Sequence, residues 1–294
     1  MDLVVLHVTV ADDKGQFVPG LAEDDFRVTE DKIEQKISFF SSQDIPVTMG
    51  LVIDSSGSMK EKRDQVDAAA MTFVKTSNPQ DEEFLVDFND EFYLDTEGDF
   101  TNDRDKIEAQ LASINQGGST AFYDAIIASL EHLKKGHKDK RVLLVVTDGE
   151  DDASRKTFED AIRAAQQSDA TIYPIGVFSE DDRKNDKKGV RTATRVLKQL
   201  AEATGGEAYF PADLAQVVPI CEQVAQEIRN QYTIGYYPSN TKKDGTFRSI
   251  QVQLTSPKGY GKLSVRTRSG YYAQQAPSNA DSQPADENVN VAGM

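Results

Sequence analysis

Asp54-Ser55-Ser56-Gly57-Ser58 sets a carboxylate and two hydroxyls at alternate positions, directly after the apolar run 47–53. With that spacing Asp54, Ser56 and Ser58 would point three oxygens toward one place. Two other stretches offer similar donors: Gly117-Gly118-Ser119-Thr120 and Thr147-Asp148-Gly149-Glu150-Asp151-Asp152. None of these stretches contains His or Cys. An all-oxygen set suits a hard divalent cation, Mg²⁺, Mn²⁺ or Ca²⁺, rather than zinc. Each stretch also has a plainer use. Ser58 with Glu61 could be a capping box that starts a helix. Thr120 could be a simple N-cap, and Asp148-Gly149 nothing but a turn. Chemistry is favoured because all three stretches could gather at one edge of a single sheet.

That sheet is read from the apolar pattern. Residues 47–53, 142–146 and 171–178 are short, nearly continuous apolar runs, as in strands buried on both faces. Residues 84–88 and 92–94 read as strands joined by the Asn89-Asp90 turn. Helical periodicity covers about 59–75, 104–114, 121–133, 156–167, 196–203 and 214–228, and 207–210 reads as a further short strand. Strand and helix alternate, which predicts an α/β fold: a doubly wound, mostly parallel sheet with helices on both faces. In such a sheet ligands bind beyond the carboxyl ends of the strands. The three oxygen-rich stretches follow apolar strands or precede a helix, where that rule places a site.

The chain termini have a different texture. Val4, Leu6, Val8 and Val10 alternate with polar or outward positions, as do Ile250, Val252 and Leu254, and Leu263 and Val265. Asp13-Lys14-Gly15, Asp244-Gly245 and Pro257-Lys258-Gly259 mark turns. Residues 1–46 carry ten acidic and four basic side chains, and residues 232–272 carry seven basic and one acidic. Opposite charge predicts that the two segments pair into one small antiparallel β module. The expected organisation is an N-terminal β segment at 1–45, an α/β domain at 46–230, a C-terminal β segment at 231–272 and a disordered tail at 273–294.

Of the 294 residues, 33 are Lys or Arg and 49 Asp or Glu, for a net charge of −16. That sign disfavours nucleic acid and anionic membrane as partners. The one cysteine, Cys221, excludes an internal disulfide and a cysteine-built zinc site. No run approaches the roughly 18 apolar residues that span a bilayer. The start lacks a basic region and a small-residue cleavage site and reads as a strand that begins at once, so we expect an upstream segment to have been removed.

Asp54-x-Ser56-x-Ser58, the Thr of Gly-Gly-Ser-Thr120 and the later Thr-Asp148-Gly together resemble the metal-ion-dependent adhesion site of the von Willebrand factor A domain. All five positions match in order and spacing, and the resemblance covers about residues 46–230. Further out, Val10-x-Asp12-x-x-Gly15-x-x-Val18-x-Gly20-Leu21-x-x-x-Asp25-Phe26, Gln231-Tyr232-x-x-Gly235-Tyr236 and Gly270-Tyr271-Tyr272 resemble the flanks of a bacterial family related to A domains. One departure is Glu30-Asp31-Lys32, where that family often has an Asp-Gly turn. The resemblance implies that the hydroxyls of Ser56, Ser58 and Thr120 coordinate a divalent cation, Mg²⁺ before Mn²⁺ or Ca²⁺. Asp54 and Asp148 would act largely through bound water. One coordination position would stay open for an Asp or Glu carboxylate of a protein partner. The implied function is metal-dependent protein binding or adhesion, without enzymatic activity, in an extracytoplasmic setting.

Two other readings compete. A metal phosphohydrolase would use Asp54 as nucleophile with Asp148, Asp151 and Asp152 as metal ligands. A haloacid-dehalogenase-like enzyme, however, would want a second Asp where Ser56 stands. A scaffold protein with an idle metal site is the third. No Gly-x-Gly-x-x-Gly or Gly-Lys-Ser/Thr motif suggests a nucleotide loop. The acid-rich run 180–189 lacks the spacing of a calcium loop and reads as a solvated surface loop. His7, His132 and His137 are scattered, and the tyrosines 232, 236, 237, 271 and 272 read as packing of the β module.

Overall fold

Val4, Leu6, Val8 and Val10 are buried along one face of β1 (Val4–Ala11). The N-terminal segment continues through β2 (Phe26–Glu30), β3 (Ile33–Gln35) and β4 (Ile37–Ser41). The computed structural model describes residues 3–96, 98–255 and 261–273. The expected turn at Pro257-Lys258-Gly259 and the tail beyond Ala273 lie outside the described residues. Between β2 and β3, Asp31 and Lys32 both take positive φ, 48° and 69°. Glu30 pairs with Ile33 across them, so two non-glycine residues make the left-handed turn that suits strand twist. Asp31 is held there by Ser249, whose N–H donates to Asp31 Oδ1 at 2.9 Å.

Next comes β5 (Val47–Asp54), buried at every residue. Its sheet partners are β6 (Glu82–Phe88), β7 (Phe92–Leu94), β8 (Lys140–Thr147) and β9 (Ala170–Gly176). They form a five-stranded sheet in the order β7-β6-β5-β8-β9, in which only the edge strand β7 runs antiparallel. The connections are α1 (Arg63–Thr76), α2 (Arg104–Ser113), α3 (Phe122–Leu133), α4 (Phe158–Gln167), α5 (Glu180–Asn185) and α6 (Lys187–Thr204), and α7 (Val217–Arg229) follows. Met49, Leu51 and Ile53 pack on one face with Phe73 and Val74 of α1 and Val224 and Ile228 of α7. Val52, Leu143 and Val145 pack on the other with Phe122, Ile126 and Leu130 of α3 and Leu197 and Leu200 of α6. Each such buried side chain contributes about 1.5–3 kcal/mol, which is why a strand apolar on both faces sits at the centre. The α/β, doubly wound, mostly parallel architecture is as the sequence suggests.

Four local expectations are corrected. The helix expected from Met59 begins as a 3₁₀ stretch, Gly57–Lys62, and turns α-helical only at Arg63. Residues 180–189 are at the surface as expected but are helical rather than a loop, with only Asp186 between α5 and α6. Ser179 accepts from the Asp182 N–H to cap α5, and Asp186 accepts from the Gly189 N–H to cap α6. The helix expected at 196–203 therefore starts at Lys187. Residues 207–210 form no strand; Tyr209 makes a single bridge to Ile175, and Pro211, with no N–H, cannot extend it.

The C-terminal segment supplies β10 (Tyr232–Tyr236), β11 (Phe247–Leu254), β12 (Ser264–Arg266) and β13 (Gly270–Tyr272). Two antiparallel sheets result, β12-β1-β10-β4 and β13-β11-β2-β3, so the terminal segments do interleave. Leu6, Val8, Phe26, Val28, Tyr232, Ile234, Ile250 and Val252 form their common core. Charge contributes little to joining them: Arg248 of β11 faces Asp31 of the β2–β3 turn at 4.0 Å. Arg266 and Arg268 reach instead to Glu227 and Asp169 of the α/β region, at 2.7 and 2.6 Å. The pairing rests on backbone ladders and the shared apolar core.

Candidate functional site

Parallel register brings the ends of β5 and β8 side by side, since Ile53 pairs with Val146. The next residues are Asp54 and Thr147, and Thr147 Oγ1 donates to Asp54 Oδ2 at 2.6 Å. Asp54 Oδ1 accepts from the Ser56 N–H at 2.9 Å. Both carboxylate oxygens are thus engaged within the protein, and the side chain is 1% exposed. Burial, then the nearby charge of Asp148, pushes the Asp54 carboxyl up to about 6, against the pull of its hydrogen bonds from Ser56 and Thr147.

The hydroxyls of Ser56 and Ser58 lie 3.1 Å apart. Ser58 does not cap a helix. Ser56 occupies the N-cap position of the 3₁₀ stretch without a side-chain capping bond, leaving its hydroxyl directed at Ser58. The second loop is laced to the first through backbone: Gly117 N–H donates to Ser55 O at 2.9 Å, and Gly57 N–H to Gly118 O at 3.1 Å. Gly118 sits at φ +84°, and a Cβ there would lie 2.3 Å from Asp90 Oδ2. Only glycine fits that approach. Thr120 is not the N-cap of α3, whose cap position is Ala121. It is 5% exposed, and its N–H donates to Asp152 Oδ1 at 2.7 Å. Asp152 N–H returns a bond to Thr120 O at 3.1 Å, which ties the third loop to the second.

Asp148 is 5% exposed. Its Oδ2 meets the ammonium of Lys62 at 3.3 Å, while its Oδ1 is buried with no hydrogen-bond partner. The structure therefore brings the three loops together, with Asp54, Ser56, Ser58 and Asp148 at their meeting point and Thr120 on the loop laced to them. An orphaned buried carboxylate oxygen on the β8 loop and two mutually facing hydroxyls on the neighbouring β5 loop are donors that suit a hard divalent cation. Among the described residues no three His, Cys, Asp or Glu side chains converge as a metal-binding group. The oxygens these loops offer are those of three hydroxyls, Ser56, Ser58 and Thr120, and two carboxylates, Asp54 and Asp148.

Of the four acids a phosphohydrolase would use, Asp54 and Asp148 are at the site, whereas Asp151 and Asp152 are engaged by backbone. Asp151 Oδ2 accepts from Tyr123 N–H at 3.0 Å and Asp152 from Thr120 N–H, so both bind backbone at the start of α3. His132 binds Asp99 O at 2.7 Å and His137 binds Glu82 at 3.0 Å. His7 lies in the β module, where burial first, and then Lys140 and Arg268, lowers its imidazole to about 3.

Three supporting residues have no signature in the sequence. Ser55, fully buried, donates to Asp87 Oδ2 at 2.6 Å and ties the β5 end to β6. Lys62 and Asp182 meet at 3.3 Å and bring α5 to the site. Residues such as these depend on approach in space, which spacing along the chain does not encode. A cleft of about 680 Å³ beside β13, lined by Lys242, Arg268 and Tyr271 among others, includes none of the five motif residues.

Residues 49–225 match the von Willebrand factor type A domain family, and the chain belongs to that family. A comparison with curated proteins found no match. Among solved structures, a von Willebrand factor type A protein from Catenulispora acidiphila is similar over 94% of this chain and 74% of its own, at 13% identity and TM-score 0.53. The vWF domain of the type V pili tip protein Mfa5 from Porphyromonas gingivalis is similar over 63% of this chain and 95% of its own, at 14% identity and TM-score 0.51. The PilB minor pilin from Streptococcus sanguinis, as its D319A mutant, is similar over 63% of this chain and 62% of its own, at 13% identity and TM-score 0.51. At such identities the likeness is one of fold.

Proposed function

We propose that this chain is a metal-dependent protein-binding module that engages an Asp or Glu carboxylate of a partner and carries out no reaction of its own. The observation that carries the reading is the buried, unpartnered Oδ1 of Asp148 on the β8 loop together with the facing hydroxyls of Ser56 and Ser58 on the neighbouring β5 loop. Ser56, Ser58 and Thr120 would hold the cation through hydroxyls, with Asp54 and Asp148 acting through water. Mg²⁺ is the first choice, Mn²⁺ or Ca²⁺ the others. When bound, the cation supplies a positive centre for the incoming carboxylate. Neutral hydroxyl donors leave that centre electrophilic, so the carboxylate gains much of the Coulomb energy. The net charge of −16 supports a protein partner over nucleic acid. An extracytoplasmic, surface-associated setting is supported by the fold shared with a pilus tip protein and a minor pilin. The use of Asp151 and Asp152 at the start of α3 supports binding over phosphate-ester hydrolysis.

The test is a titration of Mg²⁺ or Mn²⁺ into chelator-treated protein. A ligand bound only by the native state raises the melting temperature; at 100 times its Kd it adds about 2.7 kcal/mol. The rise should vanish in Asp54→Ala and in the milder variant Ser58→Ala, with no turnover of phosphomonoesters. An undiminished rise in both variants would place the metal elsewhere, and metal-dependent turnover would assign the protein to the hydrolases.

A further inference from the structure

Lys62 ends the 3₁₀ stretch Gly57–Lys62, which begins within the Asp54-x-Ser56-x-Ser58 motif, and its side chain is only 5% exposed. A lysine so deeply buried needs compensating charge. It has two partners, Asp148 Oδ2 and Asp182 Oδ2, each 3.3 Å from Nζ. The first belongs to the site and the second to α5. The neighbouring base Arg63 turns away, to Asp67 at 2.7 Å.

Two buried carboxylates, Asp54 and Asp148, meet in this site, and Lys62 is the cation in contact with one of them. We propose that Lys62 is the resident counter-charge of the site: it holds Asp148 in place when no divalent cation is bound, and by its proximity it weakens cation binding. This inference rests on the metal-binding reading above. An ammonium and a divalent cation that share a carboxylate repel one another across a few ångströms of poorly screened interior. The same ammonium spares the metal-free protein an uncompensated buried anion. Lys62 would thus act on both sides of the equilibrium, favouring the empty site and opposing the filled one. Asp182 enters through Lys62. By drawing the ammonium toward α5 it moderates the repulsion, so a change in the position of α5 would alter cation affinity.

The experiment compares Mn²⁺ affinity and melting temperature for wild type, Lys62→Met and Lys62→Arg. Lys62→Met should melt lower without metal yet bind Mn²⁺ about tenfold or more tighter, because the repulsion is gone. Lys62→Arg keeps the charge and should bind like wild type. Should Lys62→Met fail to fold, Lys62→Gln removes the charge while keeping a polar head, and it should tighten binding likewise. Asp182→Asn should weaken Mn²⁺ binding in the wild type and have much less effect when combined with Lys62→Met. A purely structural lysine would lower the melting temperature without tightening Mn²⁺ binding, and that result would overturn the proposal. If wild type binds Mn²⁺ and the neutral variants bind no tighter, this proposal fails while the metal reading stands. If neither wild type nor variants respond to Mn²⁺, the metal reading fails and takes this one with it.

Discussion

Replacing Glu227 by alanine should destabilise the whole chain and uncouple its β module from the α/β sheet. Glu227 lies on α7, is 7% exposed, and gathers donors from three other elements. Arg266 of β12 reaches it at 2.7 Å, Tyr173 of β9 at 3.0 Å and Thr9 of β1 at 3.0 Å. Removing one partner of a buried ion pair costs about 3–5 kcal/mol. Two features lower that figure here. Arg266 keeps Glu207 as a second acid, and Gln231 Nε2 still donates to Thr9 Oγ1 and Tyr173 Oη, at 3.1 Å each. Against this, both hydroxyls lose a charged acceptor, worth about 1 kcal/mol or more apiece. The net expectation is roughly 3–4 kcal/mol, a large share of the 5–15 kcal/mol typical of a folded chain. Urea unfolding followed by far-ultraviolet circular dichroism and tyrosine fluorescence reads it. The wild type should unfold in one transition, whereas Glu227→Ala should shift to lower urea and split between the two probes. Glu227→Gln, which keeps shape but not charge, should fall between them. A loss below about 1 kcal/mol with coincident transitions would refute the view that this cluster joins the two parts.

Two further outcomes can be checked on the same preparation. Gly50→Ala should cost about 1–3 kcal/mol by urea unfolding, because the new Cβ would lie 2.5 Å from both Leu143 Cδ2 and Phe84 Cζ in the sheet core. Burial first, and then the charge of Asp81, raises the Glu83 carboxyl to about 8. A carboxyl raised in the fold is held neutral there, so its contribution is present at low pH and is lost as pH climbs from about 4.5 toward 8. Glu83→Gln should therefore match wild type below pH 4.5 and exceed it in stability at pH 8–9, as melting curves across pH would record.

The α/β sheet was legible because its strands are apolar on both faces, and only a covered parallel sheet accommodates such runs. What escaped reading was polar. The first half of α6 carries Lys187, Lys188, Arg191 and Arg195, and its cap Asp186 hides in a run of acids, so no apolar stripe announces the helix before Ala193. Opposite net charge led to the right pairing of the termini for an incomplete reason. Arg266 and Arg268 satisfy acids of the α/β region, and the module is held by Leu6, Val28, Tyr232, Val252 and their neighbours. Pairing of strands and pairing of charges are separate questions, and net charge per segment answers neither residue by residue.

The site was legible for a different reason. Asp54, Ser56, Ser58 and Asp148 stand on the loops after β5 and β8, which parallel register sets side by side at the carboxyl edge of the sheet, and the loop of Thr120 is hydrogen-bonded to them. Their mutual fixing is largely backbone: Gly117 to Ser55, Gly57 to Gly118, Asp152 to Thr120. Side chains freed from holding the loops leave oxygens uncommitted within the protein, as the orphaned Oδ1 of Asp148 is. Lys62 could not be read this way. Its spacing from Ser58 fits a surface helix as well as a buried contact, and only the tight 3₁₀ stretch turns it inward to Asp148. A local departure from α-helical geometry thus places a charge beside Asp148, and on the metal-binding reading that turn should modulate an affinity that the five motif residues create.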